Sequence, residues 1–159
     1  MKHWMLMLAA LTSPATASRN SLGMFEGWGA FKDDTPLRCF AISQPVRGGG
    51  GKWRPFASVA SWPKAGVRGQ LHIRLGREKL AAAPVVLTIG DRRFVLVAGG
   101  ADAWAPDPRI DAAIVATMRS APSMSVTTRA ATGSGFAETY ALKGAATAMD
   151  AASLGCARG

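Results

Sequence analysis

Glycine and proline recur so often along this chain that they limit the length of its regular elements. The 159 residues include 18 Gly and 9 Pro, and short apolar segments lie between them. Closely spaced turn formers favour many turns and short strands over long helices. With 48% apolar and 18% charged residues, the chain has a globular composition and the length of one domain.

Strand-like segments fill most of the sequence. The residues at 70–75 alternate, so Leu71, Ile73 and Leu75 are predicted to face inward and His72 outward, as in a half-buried strand. A turn cluster at 33–36 predicts a hairpin, and Gly90-Asp91-Arg92 predicts another. The predicted strands are 27–32, 37–44, 56–62, 70–75, 85–89, 93–97, 124–129 and 139–143.

One helix is well signalled, at about 107–119. Asp107 can cap it, Pro108 suits its first position, and a stripe of apolar side chains follows. A second, short helix is expected at 145–154, near the C-terminus. The sequence therefore predicts a mainly β domain, a compact β-sandwich or barrel-like fold with these two helices.

The N-terminus has the three-part pattern of a secretory signal peptide. Lys2 and His3 precede the apolar run 4–11, and Ala15 and Ala17 place small residues at the −3 and −1 positions of a cleavage site. We expect removal of residues 1–17 and a secreted or periplasmic domain of residues 18–159 with no transmembrane segment. The alternative is a buried N-terminal helix.

The chain is a basic protein. Its formal net charge is +9 with histidine counted as neutral. Without residues 1–17 the net charge is +8, because Lys2 is the only charged side chain of that segment. Such a charge favours acidic partners, either an envelope component or a protein. Export argues against nucleic acid, and a solvated basic surface with no dedicated ligand is the alternative. The oligomeric state is left open.

Cys39 and Cys156 are the only cysteines. In an exported protein an even number of cysteines suggests disulfides, and two cysteines allow one intramolecular pairing. The alternatives are a reactive thiol, which needs a nearby base, and a metal site. Two cysteines and His72 would serve a metal poorly, so a structural disulfide is predicted.

No catalytic motif stands out, so no catalytic residue, metal or cofactor is predicted. His72 is the single histidine after residue 17, and Gly133-Ser134-Gly135 lacks the spacing of a nucleophile elbow. Asp102, Asp107 and Asp111 match no calcium loop; Asp107 is interpreted as a cap and Asp111 as a helix-surface residue. A small envelope hydrolase is the alternative function.

A basic and aromatic segment carries the candidate binding face. It follows four consecutive glycines at 48–51, which fail the phosphate-loop pattern because Val46 and Trp53 stand where that pattern needs Gly and Ser or Thr. Loops and exposed Trp and Arg are enriched in recognition sites. The alternative is that the aromatic residues belong to the core, which is also the interpretation of Trp28 and Trp104. The predicted face consists of Lys52, Trp53, Arg54, Phe56, Trp62, Lys64 and Arg68.

Several segments together resemble the invasion-associated locus B family of bacterial exported proteins. They are Trp28-Gly-Ala-Phe, Arg38-Cys39-Phe40-Ala41-Ile42-Ser43, Ile89-Gly90-Asp91-Arg92-Arg93-Phe94, the segment 104–118, and Tyr140-Ala-Leu-Lys-Gly144 before the final cysteine. The resemblance covers roughly residues 22–157. Many members carry an additional early cysteine, which Phe31-Lys32-Asp33 lacks here.

This resemblance implies a mostly β protein of the periplasm or envelope of alphaproteobacteria. It implies a role linked to host-cell invasion and brings with it no enzymatic activity or cofactor. We therefore expect an exported, non-enzymatic binding or structural protein of the bacterial envelope.

Overall fold

The computed structural model describes residue 13 and residues 18–157 of the chain. The predicted signal peptide and its cleavage site at Ala17 lie outside the described residues, apart from Ser13. None of the helices in the described residues combines the length and the apolar character of a membrane span.

The prediction of a mainly β domain with two helices is confirmed. Ten strands form one antiparallel sheet in the order β1-β2-β3-β4-β5-β8-β7-β6-β9-β10, which does not close into a barrel. The strands are β1 (Arg19–Phe25), β2 (Trp28–Asp34), β3 (Leu37–Ser43), β4 (Phe56–Trp62), β5 (Val67–Arg74), β6 (Val85–Ile89), β7 (Arg92–Gly99), β8 (Asp102–Trp104), β9 (Ser123–Arg129) and β10 (Gly135–Ala141).

Two helices cover one face of this sheet. Helix α1 (Pro108–Met118) contacts β5, β6 and β7, whereas α2 (Ala145–Ala157) contacts β1 to β4. Asp107 caps α1 as predicted, since its Oδ1 accepts a hydrogen bond from the Ile110 amide at 2.9 Å. We call the helix-covered side of the sheet its inner face and the opposite side its outer face.

The inner face holds the core. The alternation predicted for 70–75 is confirmed, because Leu71, Ile73 and Leu75 are fully buried while His72 is half-buried. Trp28 is also fully buried, as expected, and its Nε1 donates to the Ala141 carbonyl at 2.8 Å. This bond ties β2 to β10, which lies at the far end of the strand order.

The predicted disulfide is present. Cys39 in β3 and Cys156 in α2 are bonded, with their Cα atoms 5.9 Å apart and 117 positions apart in sequence. Both cysteines are buried. The bond therefore attaches the C-terminal helix to the inner face of the sheet.

The glycine-rich segment lies between the two halves of the sheet. It leads from β3 to β4, and its first residues pair with β10. Val46 N donates to Thr139 O at 2.7 Å, and Thr139 N donates to Arg47 O at 3.0 Å. Ideal Cβ atoms on Gly48 and Gly51 would lie 2.3 Å from the carbonyl oxygens of Ala137 and Gly76. The glycines thus permit close backbone packing against β10 and the end of β5.

Candidate binding face on the outer side of the sheet

Alternating side chains of five neighbouring strands build an aromatic and charged outer face. In the register of β2 to β5, Phe31 lies opposite Phe40, Ile42 opposite Ser58, and Ser58 opposite His72. In β8, Trp104 lies opposite His72. Because cross-strand partners point to the same side of a sheet, all of these side chains share the outer face.

One end of this face carries what we call the arginine platform: Arg19, Phe31, Arg38, Phe40 and Trp62. The Arg38 guanidinium carbon lies 4.1 Å from the centre of the Phe40 ring and 5.6 Å from that of Trp62. The Arg19 guanidinium carbon lies 5.1 Å from Phe40, and Phe31 stacks on Phe40 at 5.6 Å. The arginines cover Phe40 so well that it is only 4% exposed.

Asp33 holds the two arginines in place. Its two oxygens accept hydrogen bonds from Arg19, Oδ1 from Nε at 2.7 Å and Oδ2 from Nη2 at 3.1 Å. Its Oδ2 also lies 3.5 Å from Arg38 Nε, in an ion pair without hydrogen-bond geometry. The hydrogen bond from Arg19 holds the pKa of Asp33 below its usual value. Two positive guanidinium groups share one carboxylate, so the platform keeps a net positive charge.

The other end of the face carries what we call the His72 stack: Phe56, His72 and Trp104. The His72 ring lies parallel to that of Trp104 at 5.3 Å, and Phe56 meets it edge-on at 5.1 Å. Asp102 Oδ1 lies 2.8 Å from His72 Nε2 and accepts a hydrogen bond from Arg74 Nε at 2.7 Å. Burial favours the neutral form of Asp102, but the hydrogen bonds from His72 and Arg74 outweigh it, so the pKa of Asp102 is lowered.

The residues of the predicted binding face fall into two separate groups. Lys52, Trp53 and Arg54 lie just before β4, which begins at Phe56, whereas Trp62, Lys64 and Arg68 lie at or beyond its other end. Phe56 and Trp62 are six positions apart along an extended strand, which corresponds to about 20 Å. Trp53 packs against the core, as its alternative interpretation expected, while the four cationic side chains are exposed.

Sequence reasoning missed the residues that make this face most distinctive. Arg19 belongs to β1, which has no clear alternation, and Asp102 and Trp104 belong to the three-residue β8. Trp104, interpreted as a core residue, is half-buried on the outer face instead. The strand predicted at 37–44 was the one available signal, because residues two positions apart in a strand point to the same side, as Arg38 and Phe40 do.

The three carboxylates of the 102–111 segment, Asp102, Asp107 and Asp111, have different hydrogen-bond partners. The interpretation of Asp111 as a helix-surface residue is wrong: it is 7% exposed, and its Oδ1 accepts a hydrogen bond from the Leu71 amide at 2.8 Å. It is buried because α1 packs directly on β5. Within the described part of the chain, no three His, Cys, Asp or Glu side chains are grouped as a metal site would require.

Comparison with known proteins identifies no relative of this chain. No family model, curated protein or solved structure matches the chain. The resemblance to the invasion-associated locus B family thus stays a prediction, based on the quoted segments.

Proposed function

We propose that this is an exported, non-enzymatic binding protein of the bacterial envelope whose outer face holds an acidic polymer or an acidic protein. The observation that carries the proposal is the arginine platform. Arg19 and Arg38 are stacked on Phe40 and anchored by Asp33, so their orientation is set before a partner arrives. Preorganised side chains lose less entropy on binding than free ones do.

The chemistry of the platform suits an anionic partner. Arg19 already donates from its Nε and Nη2 to Asp33, but its Nη1 can still donate to a carboxylate, sulfate or phosphate group while the planar face of the guanidinium stays on the aromatic ring. Arg19 is the more accessible of the two arginines, with 58% of its side chain exposed against 31% for Arg38. The protein's positive net charge would also speed the approach of a polyanion.

Export is the second part of the proposal. It is supported by the signal-like residues 1–17 and by the disulfide between Cys39 and Cys156, since such bonds persist in oxidising compartments. The resemblance to the invasion-associated locus B family points to the same compartment and to a link with host-cell invasion. Mass spectrometry of the protein recovered from the bacterium that makes it, reduced and unreduced, tests this part. We expect a chain that starts at Ser18 and has no free thiol. An intact chain with two free thiols would contradict the proposed export.

Binding to a sulfated or carboxylated polysaccharide tests the face itself. We expect the double variant Arg19→Ala/Arg38→Ala to bind dextran sulfate at least tenfold more weakly than the wild type, with a shallower dependence on salt concentration. Uncharged dextran is the matched ligand control. The matched protein control is Arg109→Ala, because Arg109 is exposed on α1, on the opposite side of the sheet.

The results separate a dedicated face from a generally basic surface. If Arg109→Ala weakened binding as much, per charge removed, as the platform variant did, the attraction would belong to the net charge and the proposal would be wrong. Phe40→Leu is a further variant, which keeps both arginines but removes the ring beneath them. We expect it to weaken binding as well.

A small envelope hydrolase remains a second candidate, and one contact favours it. The His72–Asp102 hydrogen bond resembles half of a catalytic triad, and Ser58 is the cross-strand partner of His72. However, Asp102 occupies His72 Nε2, and Ser58 is only 7% exposed. Ester hydrolysis that the wild type performs and both Ser58→Ala and His72→Ala lose would favour this candidate over binding.

A further inference from the structure

A groove lies between the two helices on the inner side of the sheet, away from the outer face. It has a volume of about 760 Å³, within the usual range of small-molecule sites. Its base is formed by Val59 of β4 and by the Cys39–Cys156 disulfide, and its walls by Val115 of α1 and Met149 of α2. The turn from β4 to β5 closes one end.

The interior of this groove is mainly apolar and built from small side chains. Alanines of both helices line it, Ala112 and Ala116 from α1 and Ala152 from α2. Small residues leave the two helices apart where larger ones would have filled the space. A long, narrow apolar molecule would bury its surface here without displacing a side chain, and burial of apolar surface is favourable.

The rim of the groove is basic. Arg68 lies there at the start of β5 and is exposed, and among the described residues no acidic side chain lies within ion-pair distance of it. Arg119 also lines the rim, but Asp150 accepts a hydrogen bond from its Nη2 at 3.0 Å. The rim thus offers one guanidinium group whose charge is not compensated.

We propose that this groove binds a fatty acid, with the acyl chain between α1 and α2 and the carboxylate at Arg68. One uncompensated guanidinium matches one carboxylate in charge and in geometry. An uncharged chain would lose this contact, and a polyanion would gain nothing from the apolar interior. The site is independent of the outer face, so either can fail without the other.

Titration calorimetry with the purified, disulfide-bonded protein tests this proposal. Laurate, below its micelle concentration, is the probe, and dodecanol is the matched ligand without charge. We expect laurate to bind with one site per chain. Dodecanol should bind a few-fold more weakly, because an exposed ion pair contributes only modestly. Absence of laurate binding, or equal affinity for the two ligands, would overturn the proposal.

Variants locate the chain and the carboxylate separately. Ala116→Trp and Ser153→Trp fill the groove from opposite walls at exposed helix positions, and each should reduce laurate affinity at least tenfold. Thr147→Trp is the control, since Thr147 is exposed on α2 and does not line the groove. Arg68→Gln should reduce the affinity for laurate a few-fold and leave dodecanol unchanged. Unaltered laurate binding in both tryptophan variants would show that the ligand sits elsewhere.

Discussion

Glu138 is the most deeply buried carboxyl group among the described residues. It is 1% exposed, and its two oxygens lie 3.2 Å from the Gly76 amide. Burial raises the pKa of Glu138, although the Gly76 hydrogen bond and the nearby charge of Arg77 oppose the shift. The folded protein therefore holds this proton to a higher pH than the unfolded chain does.

The sign of the pH dependence follows from that difference. The stabilising effect of protonated Glu138 is complete below the unfolded pKa, and it is lost as pH rises through the folded pKa. We expect Glu138→Gln, which keeps the shape and an acceptor for Gly76, to raise the free energy of unfolding at neutral pH. The gain should shrink as pH falls through the raised folded pKa of Glu138, and it should be gone below about pH 4, near the unfolded pKa. Urea unfolding at several pH values measures this, and a gain of the same size at all pH values would contradict the assignment.

Gly48 tests whether the glycine-rich segment is structural. Its φ is +76°, and an added Cβ would lie 2.3 Å from the Ala137 carbonyl oxygen. We expect Gly48→Ala to lower the free energy of unfolding by more than about 2 kcal/mol, because both the backbone strain and the clash oppose it.

The control for this prediction separates strain from contact. Gly100 has a φ of +61° with open space around its Cβ position. Gly100→Ala should therefore cost only the strain of the left-handed conformation, about 1 kcal/mol. Equal losses in the two variants, measured by chemical denaturation, would mean that the packing against β10 contributes nothing.

At the scale of elements, local patterns predicted most strands and both helices. The segment 56–62 coincides with β4, and 108–118 lies inside the predicted helix. The pattern failed at β1 and β8, because Arg19–Phe25 has no alternation of apolar and polar residues and β8 has three residues. Such strands form because a neighbouring strand supplies hydrogen bonds, which no local sequence signal reports.

Asp111 joins helix α1 to strand β5, and this link can be tested. Burial and the neighbouring Asp107 raise the pKa of Asp111, while the Leu71 amide hydrogen bond opposes the shift. Asp111→Ala leaves the Leu71 amide without this partner, and we expect a loss of about 1–3 kcal/mol in the free energy of unfolding.

Asp111→Asn distinguishes the hydrogen bond from the charge. Its side-chain carbonyl can still accept from the Leu71 amide. Because the raised pKa of Asp111 means that the fold disfavours its charged form, we expect stability at or above that of the wild type at neutral pH. Thermal unfolding of the two variants provides the comparison. If Asp111→Asn were as unstable as Asp111→Ala, the negative charge at the start of α1 would matter more than the bond to β5.

At the scale of the whole molecule, the candidate site was harder to predict than the fold. The alternation at 70–75 placed His72 on the outer side, but its partners Asp102 and Trp104 come from a strand inserted between β5 and β7. Arg19 and Arg38 likewise meet only through the register of β1, β2 and β3. Strand order and register are long-range properties, so a sequence can suggest which residues face outward but not which of them meet.

The disulfide is a covalent link between β3 and the C-terminal helix, and its effect is best predicted for the molecule as a whole. It closes a loop of 117 positions between β3 and α2, which restricts the unfolded chain far more than the folded one. In the loop-entropy description a loop of this length stabilises the fold by roughly 4–5 kcal/mol.

We expect the double variant Cys39→Ala/Cys156→Ala to lose most of this stabilisation, measured as the free energy of unfolding in guanidinium. Reducing the wild type should cause a similar loss without changing any side chain in the core. If reduction left the unfolding midpoint unchanged while the double variant was destabilised, the packing of the buried cysteines, and not the covalent link, would be what holds α2 on the sheet.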